Sequence, residues 1–244
     1  MVVVITLRTP APRRSYYPLC LVAAVPVASG IEELMRDYDG KTAAERVAER
    51  RQRLIEAGYA LFGEHGYAGT SIRAVLQRAG LRDRYFGENF ADLDALLAAV
   101  YDQIVDEEVA GCRAAIDATP GGSEGGRAMV EAMASSLQGD PGRARIKLRE
   151  VISGGPLARQ QRQVGVYKFA ALVAELLPPV PPDKAQEQLL LAAGIVAATN
   201  ELLIAWLDGE QDLTRADVVD LVMTMFDAIA DRMAVSNRHL IPRP

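Results

Sequence analysis

From Thr42 onward, apolar residues recur at helical spacing along nearly the whole chain. Leu54, Gly58, Leu61 and Phe62 fall on one helical stripe, with Arg46, Arg50, Arg51 and Arg53 ahead of it or beside it. That pattern stops at "EHGY", where Gly66 suits a C-terminal cap. Residues 71–80 make about two turns, with Ile72, Val75, Leu76 and Ala79 on one side, and a second short helix follows over 83–88. A long helix over 90–116 carries Leu93, Leu96, Leu97, Val100, Ile104 and Val109. "TPGGSEGG" (119–126) reads as a break. Beyond it, helices are predicted at about 127–138, 143–153, 158–177, 184–208 and 214–234, separated by "GDPG", "SGGP", "PPVPPD" and "DGEQDL". No run alternates as a strand would. The expected fold is all-α: a small helical domain over 42–90 joined to a larger one over 91–244.

Charge divides along the same line. Net charge is −5, which advertises no polyanion partner, yet residues 41–90 hold nine Lys/Arg against six Asp/Glu. Residues 91–244 hold fourteen against twenty-two. A basic front end on an acidic body suggests a binding face at that end. Cys20 and Cys112 are far apart and without metal spacing, which points to a reducing, cytoplasmic setting. With only His65 and His239 besides, neither a metal nor a cofactor is expected. Residues 1–41 read as a disordered extension. The stretch "PRRSYYPLCLVAAVPVASG" has some features of a signal peptide, but Pro18 and Pro26 interrupt its apolar run. Met35 would serve as an alternative start, and no membrane role is expected.

Three helices in tandem, the second and third short and joined by a Gly-containing turn, are what a helix-turn-helix requires. Thr70 or Ser71 can cap the second helix and leave backbone N–H groups for a phosphate. Arginine suits an exposed third helix because its planar fork can bond guanine O6 and N7 together.

The segment "RLIEAGYALFGEHGYAGTSIRAVLQRAGLRDRYFGENFADLDALLAAVY" resembles the N-terminal domain of TetR-family transcriptional repressors. The shared marks are the Ala/Phe-bearing first helix, "GY..TS", "AGL", the aromatic-rich third helix, Phe90 and "LL.AV". The resemblance implies that residues 82–88 are the recognition helix. Arg82, Asp83 and Arg84 would lie nearest base edges, Tyr85 behind them, and Thr70, Ser71 and Arg73 against phosphates. It further implies a homodimer on a palindromic double-stranded DNA operator, acting as a repressor and released by a small apolar ligand. Three positions depart from the family pattern. Arg82 replaces the usual capping Ser or Thr, Gly87 stands where a phosphate-touching tyrosine is usual, and Leu93 replaces a common lysine. Asp83 offers a substitute cap. A family member that senses a small molecule or binds a protein without reading DNA is the alternative these changes leave open.

In the larger domain, Val218, Val222, Met225 and Ile229 form a stripe on the last helix. Ala192, Ala193, Gly194, Ala197 and Ala198 let a partner helix approach the one before it. Both helices are apolar over more than one face, which suits a dimer bundle. For a ligand pocket the candidates are Met129, Met133, Tyr167, Phe169, Asn200, Glu201 and Trp206, since Met and aromatic side chains with a few polar groups make an adaptable apolar site. The same residues at helical spacing also fit an ordinary core. "DEE" (106–108) reads as a solvated helix face. "GGSEG" (121–125) fits G-x-S-x-G, but that motif needs a strand before the serine, and here a helix and Pro120 precede it. The chain is therefore not expected to be an enzyme.

Overall fold

The computed structural model describes residues 42–209 and 212–238. The expected extension over 1–41, with Cys20, and also His239 lie outside the described residues. The chain divides into two compact units, Met1–Glu45 and Arg46–Pro244. Of the first, the described part is a capping box. Thr42 N–H donates to Glu45 Oε2 at 2.6 Å, and Glu45 N–H donates to Thr42 Oγ1 at 3.2 Å.

The described residues form nine helices and no strand. They are α1 (Ala43–His65), α2 (Ile72–Ala79), α3 (Arg84–Gly87), α4 (Leu93–Asp117) and α5 (Gly122–Gly139). Next, α6 begins as Pro141–Arg145, widens into a π-helical turn over Ile146–Glu150, and ends as Val151–Ser153. The chain closes with α7 (Pro156–Leu176), a 3₁₀ turn (Pro182–Lys184), α8 (Ala185–Asp208) and α9 (Arg215–Arg238). The all-α expectation holds, with one boundary corrected. Helix α5 starts at Gly122, inside the stretch read as a break. A Cβ on Gly125 would come within 2.9 Å of Leu176 Cδ2, so glycine here is what lets α5 close on α7. Glycine content alone could not separate a turn from a tight helix contact.

Helix α4 packs on α5 and α7, α7 packs on α8, and α9 lies against α5 and α8. Leu96, Leu97, Val100, Ile104, Leu137, Ile146, Val151 and Leu203 are at most 1 % exposed. One cap crosses between helices. The carboxylate of Asp94, in the first turn of α4, accepts N–H bonds from Gly155 (2.7 Å), Leu157 (2.9 Å) and Ala158 (3.2 Å), the start of α7. Those donors have no intrahelical partner, and Asp94 is itself buried. Asp94→Ala should therefore destabilise the protein by about 2–3 kcal/mol in urea unfolding; a loss of a few tenths would mean that water replaces the carboxylate.

The two final helices share their apolar surface between an inner and an outer face. Val218 and Val222 are buried in the subunit, whereas Met225 and Ile229 are only partly covered. On α8, Ala192 is buried, but Leu190, Leu191, Gly194 and Ala197 face outward. The segment Pro182–Asp208 has a window of mean hydropathy 1.8, of which only 28 % is buried. By length and composition it could cross a membrane, but its inner side packs on α7 and α9.

Candidate nucleic-acid interface and ligand cavity

The candidate head is α1 to α3, the tandem of one long and two short helices. Ser71 is the cap of α2: its Oγ accepts the Ala74 N–H at 3.2 Å. Thr70 is buried instead, and its hydroxyl donates to the Gly66 carbonyl at 2.8 Å, so its side chain ties the turn together. At the other end of α2, Gly80 is left-handed (φ 63°) and Arg53 of α1 donates to the Ala79 carbonyl at 2.5 Å. Arg78 makes a two-pronged pair with Glu64 at 2.8 and 2.9 Å. Of the arginines near the turn, Arg53 and Arg78 are thereby committed within the head. Arg73, Arg82 and Arg84 point to solvent.

Helix α3 is a single turn, and aromatic burial holds it. Phe86 and Phe90 are 3 % and 4 % exposed, with ring centroids 6.0 Å apart. Arg51 lies 4.4 Å over the Phe90 ring and donates to the Asn89 carbonyl at 3.2 Å. Tyr85 is half-buried, with Arg50 and Arg84 each 4.7 Å from its ring centroid. Asp83 is exposed but does not take over the cap: its backbone is already helical, and its side chain makes no capping bond. Leu93 packs against the core, which explains an apolar residue there. Around Gly87, by contrast, a Cβ would meet nothing within 4 Å. Gly87→Ala should stabilise the protein by up to about 1 kcal/mol in thermal unfolding, through lost freedom of the unfolded chain. Destabilisation would mean that the position needs glycine's backbone.

The head is gripped by α6 where α1 ends. Gly66 has φ +77°, and a Cβ on it would lie 2.5 Å from Arg145 Nη2. Arg145 donates to the Glu64 carbonyl at 3.1 Å and, through Nε, to Glu150 Oε1 at 2.8 Å. Glu150 Oε2 in turn accepts the Tyr67 N–H at 2.7 Å. Arg145 precedes the π-helical turn and Glu150 ends it, so the turn forms a clip on the α1–α2 connection. A second contact joins Tyr59 of α1 to the Asp140 carboxylate. Burial and then that hydrogen bond push the Tyr59 phenol up to about 12. A cleft of about 350 Å³ opens beside it, floored by Ile55, Val100 and Ile104 and rimmed by Glu107 and Arg143, which are paired at 2.6 Å.

Met129 and Met133 line one apolar cavity with Val173, Leu176, Ile195, Val196, Met223 and Phe226. Its one polar side chain, Thr199, donates inward to the Ile195 carbonyl at 2.8 Å. The open volume is about 20 Å³, room for a single water, so this seam is closed. The other pocket candidates do not join it. Phe169 is buried elsewhere, against Lys147. Tyr167 and Glu201 are exposed, while Asn200 and Trp206 are half-buried. Helical spacing places these residues on different faces, which a list of residue types could not reveal. Ser123 lies in the first turn of α5 and donates to Asp227 at 2.6 Å. Without a preceding strand, it has no nucleophile-elbow geometry.

Residues 54–100 match the family model described as bacterial regulatory proteins, tetR family. Over 172 residues the chain is 24 % identical to the HTH-type transcriptional activator FasR of Mycolicibacterium smegmatis, covering 70 % of this chain and 78 % of that relative. Its fold is similar to that of the transcriptional regulator FadR from Bacillus subtilis, solved in complex with stearoyl-CoA. There the TM-score is 0.58 at 16 % identity, over 73 % of this chain and 97 % of that one. The fatty acid degradation regulator FadR from Bacillus halodurans is similar too, with TM-score 0.59 at 16 % identity over 72 % and 94 %.

Proposed function

We infer, from its place in the tetR family of bacterial regulatory proteins, that this chain is a cytoplasmic, ligand-responsive regulator that binds a palindromic operator as a homodimer. The observation that carries the reading is the head itself. A one-turn helix anchored by Phe86, with the two residues before it, presents Arg82, Asp83 and Arg84 to solvent, beside a second helix whose start carries Ser71 and Arg73. On DNA, Arg82 and Arg84 would reach base edges in the major groove, and Ser71, Arg73 and the N–H groups of α2 would reach phosphates.

The homodimer is assigned to the outward stripe of α8 and α9. Leu190 and Leu221 are 54 % and 44 % exposed, in a region with room for close approach at Gly194. Two-fold pairing would set the two heads about 34 Å apart, one turn of DNA. Replacing Leu190 and Leu221 together by glutamate should convert the dimer to a monomer in light scattering and abolish operator binding. A dimer that survives would move the interface elsewhere. The effector is assigned to the apolar body, with Met129 and Met133 on its wall. A chain of acyl type suits that lining, in keeping with the stearoyl-CoA complex of the B. subtilis regulator. Because the seam is closed, such a ligand must part helices to enter. A shift of α5 and α7, passed on to α6, which packs against both, would pull on the clip at α1 and release the DNA.

The test is fluorescence anisotropy against the chain's own upstream DNA and a scrambled duplex, across a salt series. A preference of roughly a thousandfold with a steep salt slope is the expected result. Equal, weak binding to both would favour a sensor that has lost readout through Gly87 and Leu93.

A further inference from the structure

The cleft beside Tyr59 has the size and the lining of a small-molecule site, and neither DNA reading nor the apolar seam uses it. Its volume is about 350 Å³, against about 20 Å³ for the seam. Small-molecule sites begin at roughly 300 Å³. Helices α1 and α4 and the start of α6 enclose it, over an apolar floor of Ile55, Val100 and Ile104.

The charges on its wall do not cancel. Glu56, Glu107 and Asp140 face one guanidinium, that of Arg143. Arg143 pairs with Glu107 at 2.6 Å, and its backbone N–H donates to Asp140 Oδ1 at 2.9 Å. Tyr59 stays protonated at neutral pH, because burial pushes its phenol up to about 12, and its hydroxyl donates to Asp140. Glu56 is exposed, and among the described residues its carboxylate accepts from the neutral amide of Gln52 at 3.2 Å rather than from a cation. The interior of the bundle shows the opposite case. Of the acidic run 106–108, Asp106 and Glu107 are exposed as expected, but Glu108 turns inward and forms an ion pair with Lys147 of α6, with side chains 1 % and 3 % exposed. There the charges balance, whereas the cleft keeps an excess of carboxylate.

We propose that this cleft binds a small protonated amine carried on an apolar body. The apolar part lies on Ile55, Val100 and Ile104, and the ammonium faces Glu56, with Glu107 and Asp140 adding to the field. A cleft sharpens that choice, because attraction between charges is less damped there than in open water. A neutral head gains the apolar contact alone, and a carboxylate meets an excess of its own charge. The site is separate from the effector site assigned to the seam and does not depend on it. An occupant touches α1 of the head together with α4 and α6 of the body, next to the Tyr59–Asp140 contact that joins them.

Isothermal titration calorimetry of the whole chain at neutral pH with three chain-matched probes tests this: 4-phenylbutylamine, 4-phenylbutanol and 4-phenylbutyrate. The amine should bind about tenfold more tightly than the alcohol, and the carboxylate more weakly than either. Glu56→Gln removes one charge at the same size and keeps an acceptor for Gln52. It should lower amine affinity about fivefold and leave that of the alcohol unchanged. Glu131→Gln, exposed on α5 and outside the cleft, should change neither, which separates the cleft from the general acidity of the body. Equal affinities for the three probes, tighter binding of the alcohol or the carboxylate, or no binding of the amine would overturn the site. So would an amine preference untouched by Glu56→Gln, or one lowered equally by Glu131→Gln. The comparison of probes on the unmodified protein decides the question even if a variant does not fold.

Discussion

Replacing Arg82 and Arg84 together by alanine is expected to lower operator affinity about a hundredfold or more, with the melting temperature unchanged. Each arginine that forks onto a guanine edge accounts for roughly 1–3 kcal/mol of discrimination, so two lost forks multiply to that range. The fold should not notice. Both side chains face solvent, and the Arg84 guanidinium donates to the hydroxyl of its neighbour Tyr85 at 2.7 Å. What holds α3 in place is Phe86 with Phe90, and neither is touched. Arg78→Ala is the internal control. Its guanidinium is engaged with Glu64 on an exposed surface, so its loss should cost little affinity and little stability. Anisotropy and thermal melts on the same preparations separate the cases. Unchanged affinity in the double variant would overturn the assignment of α3 as the reading helix.

The second large effect concerns stability. Lys147→Met alone leaves the Glu108 carboxylate buried without its cation, and should cost about 3–5 kcal/mol in urea unfolding. Adding Glu108→Met should recover most of that loss, because two apolar side chains of similar volume then fill the space and no polar group is stranded. The pair therefore predicts strong non-additivity, with the double variant more stable than the Lys147→Met single. A single variant that unfolds like the unmodified protein would mean that water reaches Glu108.

Much of the fold is already present in the order of residues. Apolar spacing gives the helices because a helix buries one stripe, and Gly66 and Gly80 end theirs with φ +77° and +63°, where glycine carries no Cβ penalty. The tandem short helices and their arginines are local too, so the head could be read from a continuous run of residues. Other features required three dimensions. Gly122 to Gly126 look like a linker until Leu176 and Met223 are brought against them. Met129 and Met133 share a cavity whereas Tyr167 and Glu201 do not, because helix rotation about its axis is set by packing across the bundle. Glu108 lies in an acidic run that local pattern assigns to solvent, and only the arrival of Lys147 from α6 gives its carboxylate a partner in the interior. The sequence by itself determined the helices, the caps at Gly66 and Ser71 and the basic head, since these depend on neighbours a few residues apart. The cross-helix cap at Asp94, the clip of Arg145 and Glu150 on α1, and the buried charge pair were decided by the tertiary structure, because each joins residues at least 39 positions apart whose fit depends on how the helices pack.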